Sequence, residues 1–473
     1  MGQGGVMRIM IDCSHLDLRA QTAGFSRVVS NYLSHAQQWS LSSGVAVRPM
    51  RWQADAMPCF DDIKPGSSSR HWRQMAGSRR AMIWGVYACR QLCREVASYL
   101  GRVLGAAVDL VAATMPRRRW RQACLSVRVP LVDALGGPFR LLDRLYARLP
   151  GVAVGLTADD VVFCPAHWYR HNAAVMARLQ AHRGGVVMLV HDVLPITAPR
   201  YYAPETTRIQ MKAIGQMLDM GLGVLAISEA TRQDLLRLAW QRRVTAHIGV
   251  AHNGYEPLCG PGGPDQSPSA RLAPALHHAG GYVLMVGTVE PKKGHLEVID
   301  AMEELWREGD PRALVIIGRS GWMNEFIQTR MHESPWWQRQ LFWFPGLGDA
   351  DVAHAYRDAQ ALIFASEAEG FGLPLIEAAS LGCPVVARSL PVCEEVLGAC
   401  ALYFDAAPQS LLQALRLVAD PQVRAQLRDH LRHFNWPTWA DVVPRVMEGL
   451  VKYHRDRQPF DGPLVTGQPP RSG

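Results

Sequence analysis

No run of about 20 uninterrupted apolar residues exists in this chain, so the sequence predicts no transmembrane helix. The opening MGQGGVMRIMID has no apolar segment long enough for a secretory signal. Met1-Gly2 begins like a myristoylation site, but Val6 stands where Ser or Thr is required. None of the 10 cysteines forms a CxxC pair, and no Cys/His group has zinc-finger spacing. Scattered thiols of this kind fit reduced, mostly buried residues of a cytosolic protein. Charge is sparse, at 19% of residues against 48% hydrophobic, which excludes an intrinsically disordered chain. An acidic balance is also missing. The net charge is +8, which suits an anionic partner such as a phosphate-bearing substrate or a membrane surface, or solubility alone. No recognised nucleic-acid-binding module is present, so nucleic acid is not an expected partner.

The 473 residues are enough for two domains with additional material. Met7–Ile11 is a short buried-strand pattern, followed by a polar turn, Gly24 and a helical pattern from Phe25 to about His35. Such a strand–loop–helix opening suits a doubly wound α/β domain. Continuous apolar runs at 161–164, 186–190 and 224–227 read as parallel strands buried on both faces. Ser228 is the expected N-cap of the helix that follows the last of these. Residues 257–281 are rich in Pro, Gly, Ser and His and read as a linker. Regular β/α alternation then restarts at Tyr282 and predicts a second parallel sheet.

Three segments carry the chemistry. SEAEGFGLPLIE (366–377) follows a strand and opens a helix, with Pro374 suited to its first turn. Bare N–H groups there favour an anion or sugar hydroxyls, and Glu369 and Glu377 are spaced to reach different parts of an extended ligand. VGTVEPKKG (286–294) lies at the end of the second domain's first strand. Gly287 permits close backbone approach there, and Lys292 and Lys293 suit a diphosphate. HDVLP (191–195) places His191 at a strand end of the first domain, facing a cleft. Each segment alone is equally a solvated turn, a surface charge or a structural histidine.

Taken in order, these segments resemble the family 4 retaining glycosyltransferases of the GT-B architecture. They are joined by Gly24-Phe25-Ser26-Arg27, ISEATRQDL, AHNGYEP, IIGRSGW, FPGLGDADV and EGFGLPLIEAASLGCPVV. The resemblance covers the whole second domain and both ends of the first, and it is similar in flavour to mannosyltransferases of bacterial polysaccharide assembly. It implies an α/β fold of two Rossmann-like doubly wound domains facing a cleft. The domains are then an acceptor-side unit at 1–257, a linker at 258–281 and a nucleotide-sugar-binding unit at 282–435. A helix at 436–455 crosses back to the first domain, and 456–473 is a flexible tail.

By position, the resemblance implies that Lys293 pairs with the donor diphosphate, that Lys292 assists, and that Gly287 and Thr288 lie beside it. Glu369 holds donor-sugar hydroxyls with the backbone of Gly370, Phe371, Gly372 and Leu373. Glu377 holds the ribose, Leu347 lies beside the base, and His191 faces the reacting sugar. Gly24 lets a loop approach the diphosphate. Ser26 replaces a usual glycine and Thr288 a usual arginine, which shifts weight onto Lys292, Lys293 and Arg27. Catalysis then rests on His191, Lys293 and Glu369. The expected donor is GDP-mannose or a UDP-sugar, serving as co-substrate, and the expected acceptor is a lipid-linked oligosaccharide or polysaccharide. A sucrose- or glycogen-synthase-like enzyme and a non-catalytic sugar-binding assembly protein are the competing readings. Asp349 and Asp351 have the letters of a metal motif but read as helix-capping residues, so no cofactor and no essential metal are expected.

Segment 65–150 lies outside the resemblance. Its interleaved Arg and Trp, as in MPRRRWRQ, suit the headgroup layer of an anionic leaflet. They equally suit a helical insertion packed on the first domain. The expected location is cytoplasmic, with peripheral attachment to the inner membrane face under the first of these readings.

Overall fold

The computed structural model describes residues 7–13, 24–52, 58–60, 156–166, 173–258, 272–407, 409–456 and 460–465. Two parallel sheets organise them. In the first, β1 (Arg8–Asp12) pairs in parallel with β2 (Ala46–Trp52) on one side and β4 (Asp160–Cys164) on the other. The sheet runs outward from β4 through β5 (Val186–Val190), β6 (Gly223–Ala226) and β7 (Ile248–Ala251). A short antiparallel strand, β3 (Pro58–Phe60), closes the β2 side. Every residue of β4, β5, β6 and β7 is buried, which explains why these strands are apolar throughout rather than alternating.

The second sheet contains β8 (Tyr282–Val286), β9 (Ala313–Ile317), β10 (Leu341–Phe344), β11 (Ala361–Phe364), β12 (Val385–Arg388) and β13 (Ala401–Phe404). All its pairings are parallel, in the order β10-β9-β8-β11-β12-β13. The order reverses between β8 and β11. A crevice opens beyond the carboxyl ends of strands at such a reversal, and ligands bind there.

The chain ends on the first domain. The helix Trp439–Asp456 lies against the helix Gly24–Ser43, where the rings of Tyr32 and Trp439 meet edge to face at 5.5 Å. Within 456–473, expected to be a flexible tail, the described residues 460–465 include a strand. Gly462–Val465 is a strand, β14, and it pairs with the outer edge of β7. Phe460, 6% exposed, stacks on Tyr453 beside it. Four strand residues inside a polar stretch are too few to show a period, and the unpaired edge of β7 supplies the partner. In the described second half of the linker, Leu272, Ala275 and Leu276 are buried in the core.

The Gly24–Ser43 helix runs well beyond His35. Strand β2 was missed because Arg48, Pro49 and Arg51 interrupt its apolar pattern. Segment 65–150 falls outside the described residues. Among the described residues, Cys13, Cys164, Cys383, Cys393 and Cys400 are buried, and no helix is long and apolar enough to cross a membrane.

Candidate active site

The crevice is built by close backbone contacts that only glycine allows. At the end of β8, Gly287 adopts a φ of 147°, and a Cβ on Gly318 after β9 would lie 1.7 Å from the Gly287 carbonyl oxygen. Gly294, at a φ of 70°, follows a single turn of 3-10 helix, Pro291–Lys293; a Cβ there would lie 2.3 Å from the carbonyl of Ala365. This approach brings the Lys-Lys turn onto the loop after β11. The Glu367 N–H donates to the Lys292 carbonyl at 2.8 Å. Gly372, at a φ of 96°, then caps the helix Leu373–Ser380 and turns its first N–H groups toward the crevice.

Lys293 and Glu369 meet there as an ion pair, with side chains 16% and 13% exposed. Ser366 Oγ donates to the same carboxylate at 3.3 Å. Burial alone would push the Glu369 carboxyl up, but Lys293 and Lys292 outweigh it and hold the pKa at about 2. Glu369 is therefore a fixed anion able only to accept hydrogen bonds, as sugar hydroxyls require. Glu377, four residues into the helix, differs. Burial pushes its carboxyl up, while Arg27 and a hydrogen bond from Tyr356 Oη at 3.1 Å oppose that.

The first domain supplies His191 from the end of β5. Its Nε2–H donates to the Pro165 carbonyl at 2.7 Å, which fixes the tautomer. Burial lowers its pKa to about 4, so the ring is neutral at pH 7. A Cβ on Gly370 would lie 2.6 Å from the His191 carbonyl oxygen, so a glycine at this point of the EGFG turn lets the two domains touch.

A cleft of about 750 Å³ lies between them. It brings together His191, Gly287, Thr288, Lys293, Leu347, the turn from Glu369 to Leu373, and Glu377. Three expected residues stand apart from its lining. Lys292 lies behind the wall, 3.5 Å from Glu290. Burial works against its charge, yet Glu369, Tyr202, Glu290 and Asp192 hold it protonated above the usual lysine range. Arg27 sits 3.8 Å from Glu377 and 3.9 Å from Glu256, outside the cleft lining. Gly24 is the first residue of its helix, and the segment before it lies outside the described residues. Asp349 and Asp351 occupy the first turn of the helix Asp349–Asp358, but its N-cap is Gly348 and no side chain caps it. Among the described residues, no group of three or more His, Cys, Asp or Glu could hold a metal ion.

Arg319 and Asp192 are among the lining residues that the expected set does not contain. Arg319 is exposed at the cleft wall after β9. Asp192, beside His191, accepts from the Leu194 N–H at 3.1 Å; burial pushes its pKa up. The strand-end position that singled out His191 would have found both.

Residues 273–432 match the family Glycosyl transferases group 1. The second domain is a glycosyl transferases group 1 domain. The chain is 30% identical over 313 residues to the serotype-specific mannosyltransferase WbdA of Escherichia coli, covering 62% of this chain and 37% of that protein. It is also 30% identical over 229 residues to the O-antigen chain mannosyltransferase B of Escherichia coli, covering 46% of this chain and 57% of that one. The chain thus spans about a third to somewhat over half the length of these relatives. The crystal structure of Anabaena Alr3699/HepE in complex with UDP and glucose superposes with a TM-score of 0.55 at 12% identity, covering 94% of this chain and all of that one. The shared architecture is GT-B, as the sequence led us to expect.

Proposed function

We propose that this chain is a retaining hexosyltransferase. It moves mannose from GDP-mannose to a hydroxyl of a lipid-linked oligosaccharide or polysaccharide in surface-glycan assembly. The observation that carries the reading is the buried Lys293–Glu369 pair at the start of the Leu373–Ser380 helix, facing neutral His191 across the cleft. The mannosyl sugar and the surface-glycan setting draw support from the names of the two Escherichia coli relatives.

In this reading Lys293 and the helix N-terminus stabilise the charge that develops on the departing diphosphate. Glu369 orients the sugar through its hydroxyls, and Glu377 holds the ribose. The bond from the anomeric carbon to the diphosphate breaks while the acceptor oxygen bonds to the same face. The acceptor proton passes to the leaving phosphate. His191, neutral and fixed in one tautomer, packs against the sugar without adding charge. A UDP-sugar remains the alternative donor, because the turn Gly346–Gly348 offers mostly backbone to the base.

The deciding experiment is a panel of GDP- and UDP-sugars with analysis of the product anomer. Transfer from GDP-mannose with retention supports the reading; turnover confined to UDP-sugars, inversion, or no transfer from any donor refutes it as stated. We place the reaction at the cytoplasmic membrane face, with the Arg- and Trp-rich segment 65–150 as the contact. Flotation with phosphatidylglycerol vesicles at low but not high salt supports that placement, and no flotation at low salt removes it.

A further inference from the structure

A second contact between the domains lies behind the cleft. The first-domain helix Glu229–Gln241 begins with Ser228, whose Oγ accepts from the Thr231 N–H at 3.0 Å. This leaves the N–H groups of Glu229 and Ala230 without a cap from their own domain. Glu395 supplies it from the second domain, on the helix Pro391–Leu397. Its Oε1 accepts from the Glu229 N–H at 2.6 Å and its Oε2 from the Ala230 N–H at 3.1 Å. His252, 2% exposed after β7, donates from Nε2 to the same Oε1 at 2.6 Å. One carboxylate thus gathers three donors, all from the other domain, at the positively polarised end of a helix.

The same helix start also grips the donor loop. Ser228 Oγ donates to the Gly370 carbonyl at 2.8 Å. Gly370 is the residue whose Cα lies against the His191 carbonyl, and it separates Glu369 from Phe371. The His252 ring in turn lies 5.9 Å from the Phe371 ring and 5.2 Å from that of Trp436. Glu395 and Ser228 therefore fix the same helix end to two points of the second domain, and one of those points is the sugar-binding turn.

We propose that Glu395, together with Ser228, is an interdomain positioning residue. It holds the domains in the register that sets Glu369 and Lys293 opposite His191, and it touches neither donor nor acceptor. When the domains part, the N–H groups of Glu229 and Ala230 turn to water and Glu395 is solvated. When they close, the carboxylate replaces that water. The inference rests on the transferase reading for its kinetic readout but has a structural readout of its own.

The test uses the full chain with Glu395→Ala, Glu395→Gln and Ser228→Ala. Hydrogen bonds to a charged group support an expected fall in kcat of about 10- to 100-fold for Glu395→Ala. The Kd for free GDP and UDP, measured by calorimetry, should stay within about threefold, because the proposed diphosphate and ribose residues lie on the second domain. Glu395→Gln should recover part of kcat, since its amide oxygen still accepts from the Glu229 N–H while its NH2 opposes the Ala230 N–H. Ser228→Ala should lower kcat in the same direction and keeps the test open if Glu395→Ala fails to fold. An unchanged kcat, or a loss matched by an equal weakening of nucleotide binding, overturns the proposal. If the wild type transfers no sugar, the functional reading fails instead. Small-angle scattering of wild type and Glu395→Ala with nucleoside diphosphate then decides this point alone: a larger radius of gyration in the variant supports the clamp, and superimposable profiles refute it.

Discussion

The two sheets wind outward from their first strands in the same way, yet their carboxyl edges carry opposite kinds of chemistry. The second domain's edge presents charge: Lys293, Glu369 and Arg319 line the cleft, with Glu377, which burial pushes up, held beside Arg27. The first domain's edge presents His191, which burial keeps neutral, and Asp192, which burial pushes toward its neutral form. The difference separates two tasks. In the proposed reading a diphosphate is bound and released through charge, whereas a sugar held for attack needs a wall that fixes geometry without competing for that charge. Changes on the second edge should therefore alter donor binding and turnover together, and changes on the first should alter turnover alone.

The largest effect is expected from Lys293→Ala. It removes the cation proposed for the diphosphate and leaves Glu369 without its ion-pair partner. A fall in kcat/KM of about 100-fold is expected, with a lowered melting temperature, since breaking one side of a buried pair is costly. Near-wild-type kcat/KM would show that the two edges are not divided as described.

His191→Ala sharpens the comparison from the other side. We expect kcat to drop about tenfold while the Kd for GDP or UDP is unchanged, because in the proposed reading His191 meets the sugar and not the nucleotide. Its titration also predicts the acid response. The folded pKa of about 4 lies below the ordinary 6.5, so the unfolded chain binds the extra proton first. The stability tied to neutral His191 is full above pH 6.5 and is lost as pH falls toward 4. Glu369 acts in the same direction lower down: its stabilisation is present above 4.5 and is lost as pH falls toward 2. Thermal melts from pH 7 to 4 should show the upper step, to which buried His295, also lowered to about 4, adds in the same direction; His191→Asn should remove its own share, about 1–3 kcal/mol, and leave that of His295.

The two glutamates of the second edge should separate in turn. Glu369→Gln is expected to weaken use of the sugar donor about tenfold while sparing the free nucleoside diphosphate, and Glu377→Gln to do the reverse. Their surroundings motivate the division, since Glu369 answers to Lys293 and Glu377 to Arg27 and Tyr356. Calorimetry with GDP and GDP-mannose checks it, and equal effects on both ligands would merge the two roles.

How much of this was legible beforehand differs between the domains for a physical reason. In the second domain each strand is a short apolar run followed by a glycine- or proline-marked turn, and the turns carry the site, so sequence order and spatial order coincide. The second parallel sheet expected from Tyr282 onward is the one observed, and its first strand begins at Tyr282 itself. In the first domain β2 carries Arg48, Pro49 and Arg51, and β14 is joined to its sheet from the far end of the chain. Neither leaves a local period to read. Long-range pairs were equally hidden: nothing near Glu395 in the sequence announces that it caps a helix more than 150 residues earlier. Arg27 was assigned to phosphate by position, and the fold turns it to Glu377 instead.

Arg319 offers a smaller test of the charged edge. Thr288 stands where an arginine was expected, and the turn bearing Arg319 packs on it: a Cβ on Gly321 would lie 2.6 Å from Thr288 Cγ2. Arg319 is exposed at the cleft, so its pull on a diphosphate is weakened by solvent. Arg319→Ala should raise the donor Kd about three- to fivefold at low salt and less at high salt. No change at low salt would leave the diphosphate to Lys293 and the helix N-terminus.

The smallest effect expected is from removing metal. A departing diphosphate needs positive charge, and a divalent cation could supply it as well as a lysine could. In this cleft Lys293 stands among the proposed phosphate residues and is held there by Glu369, with Lys292 behind it. Asp349 lines the cleft from the first turn of its helix, but Asp351 does not, and carboxylates at that end are already favoured by the helix dipole. We therefore expect the initial rate in excess EDTA to stay within about twofold of the rate with Mg²⁺. A strict requirement that Mg²⁺ or Mn²⁺ restores would mean that the charged edge is incomplete without a metal, and Asp349 would become its first candidate ligand.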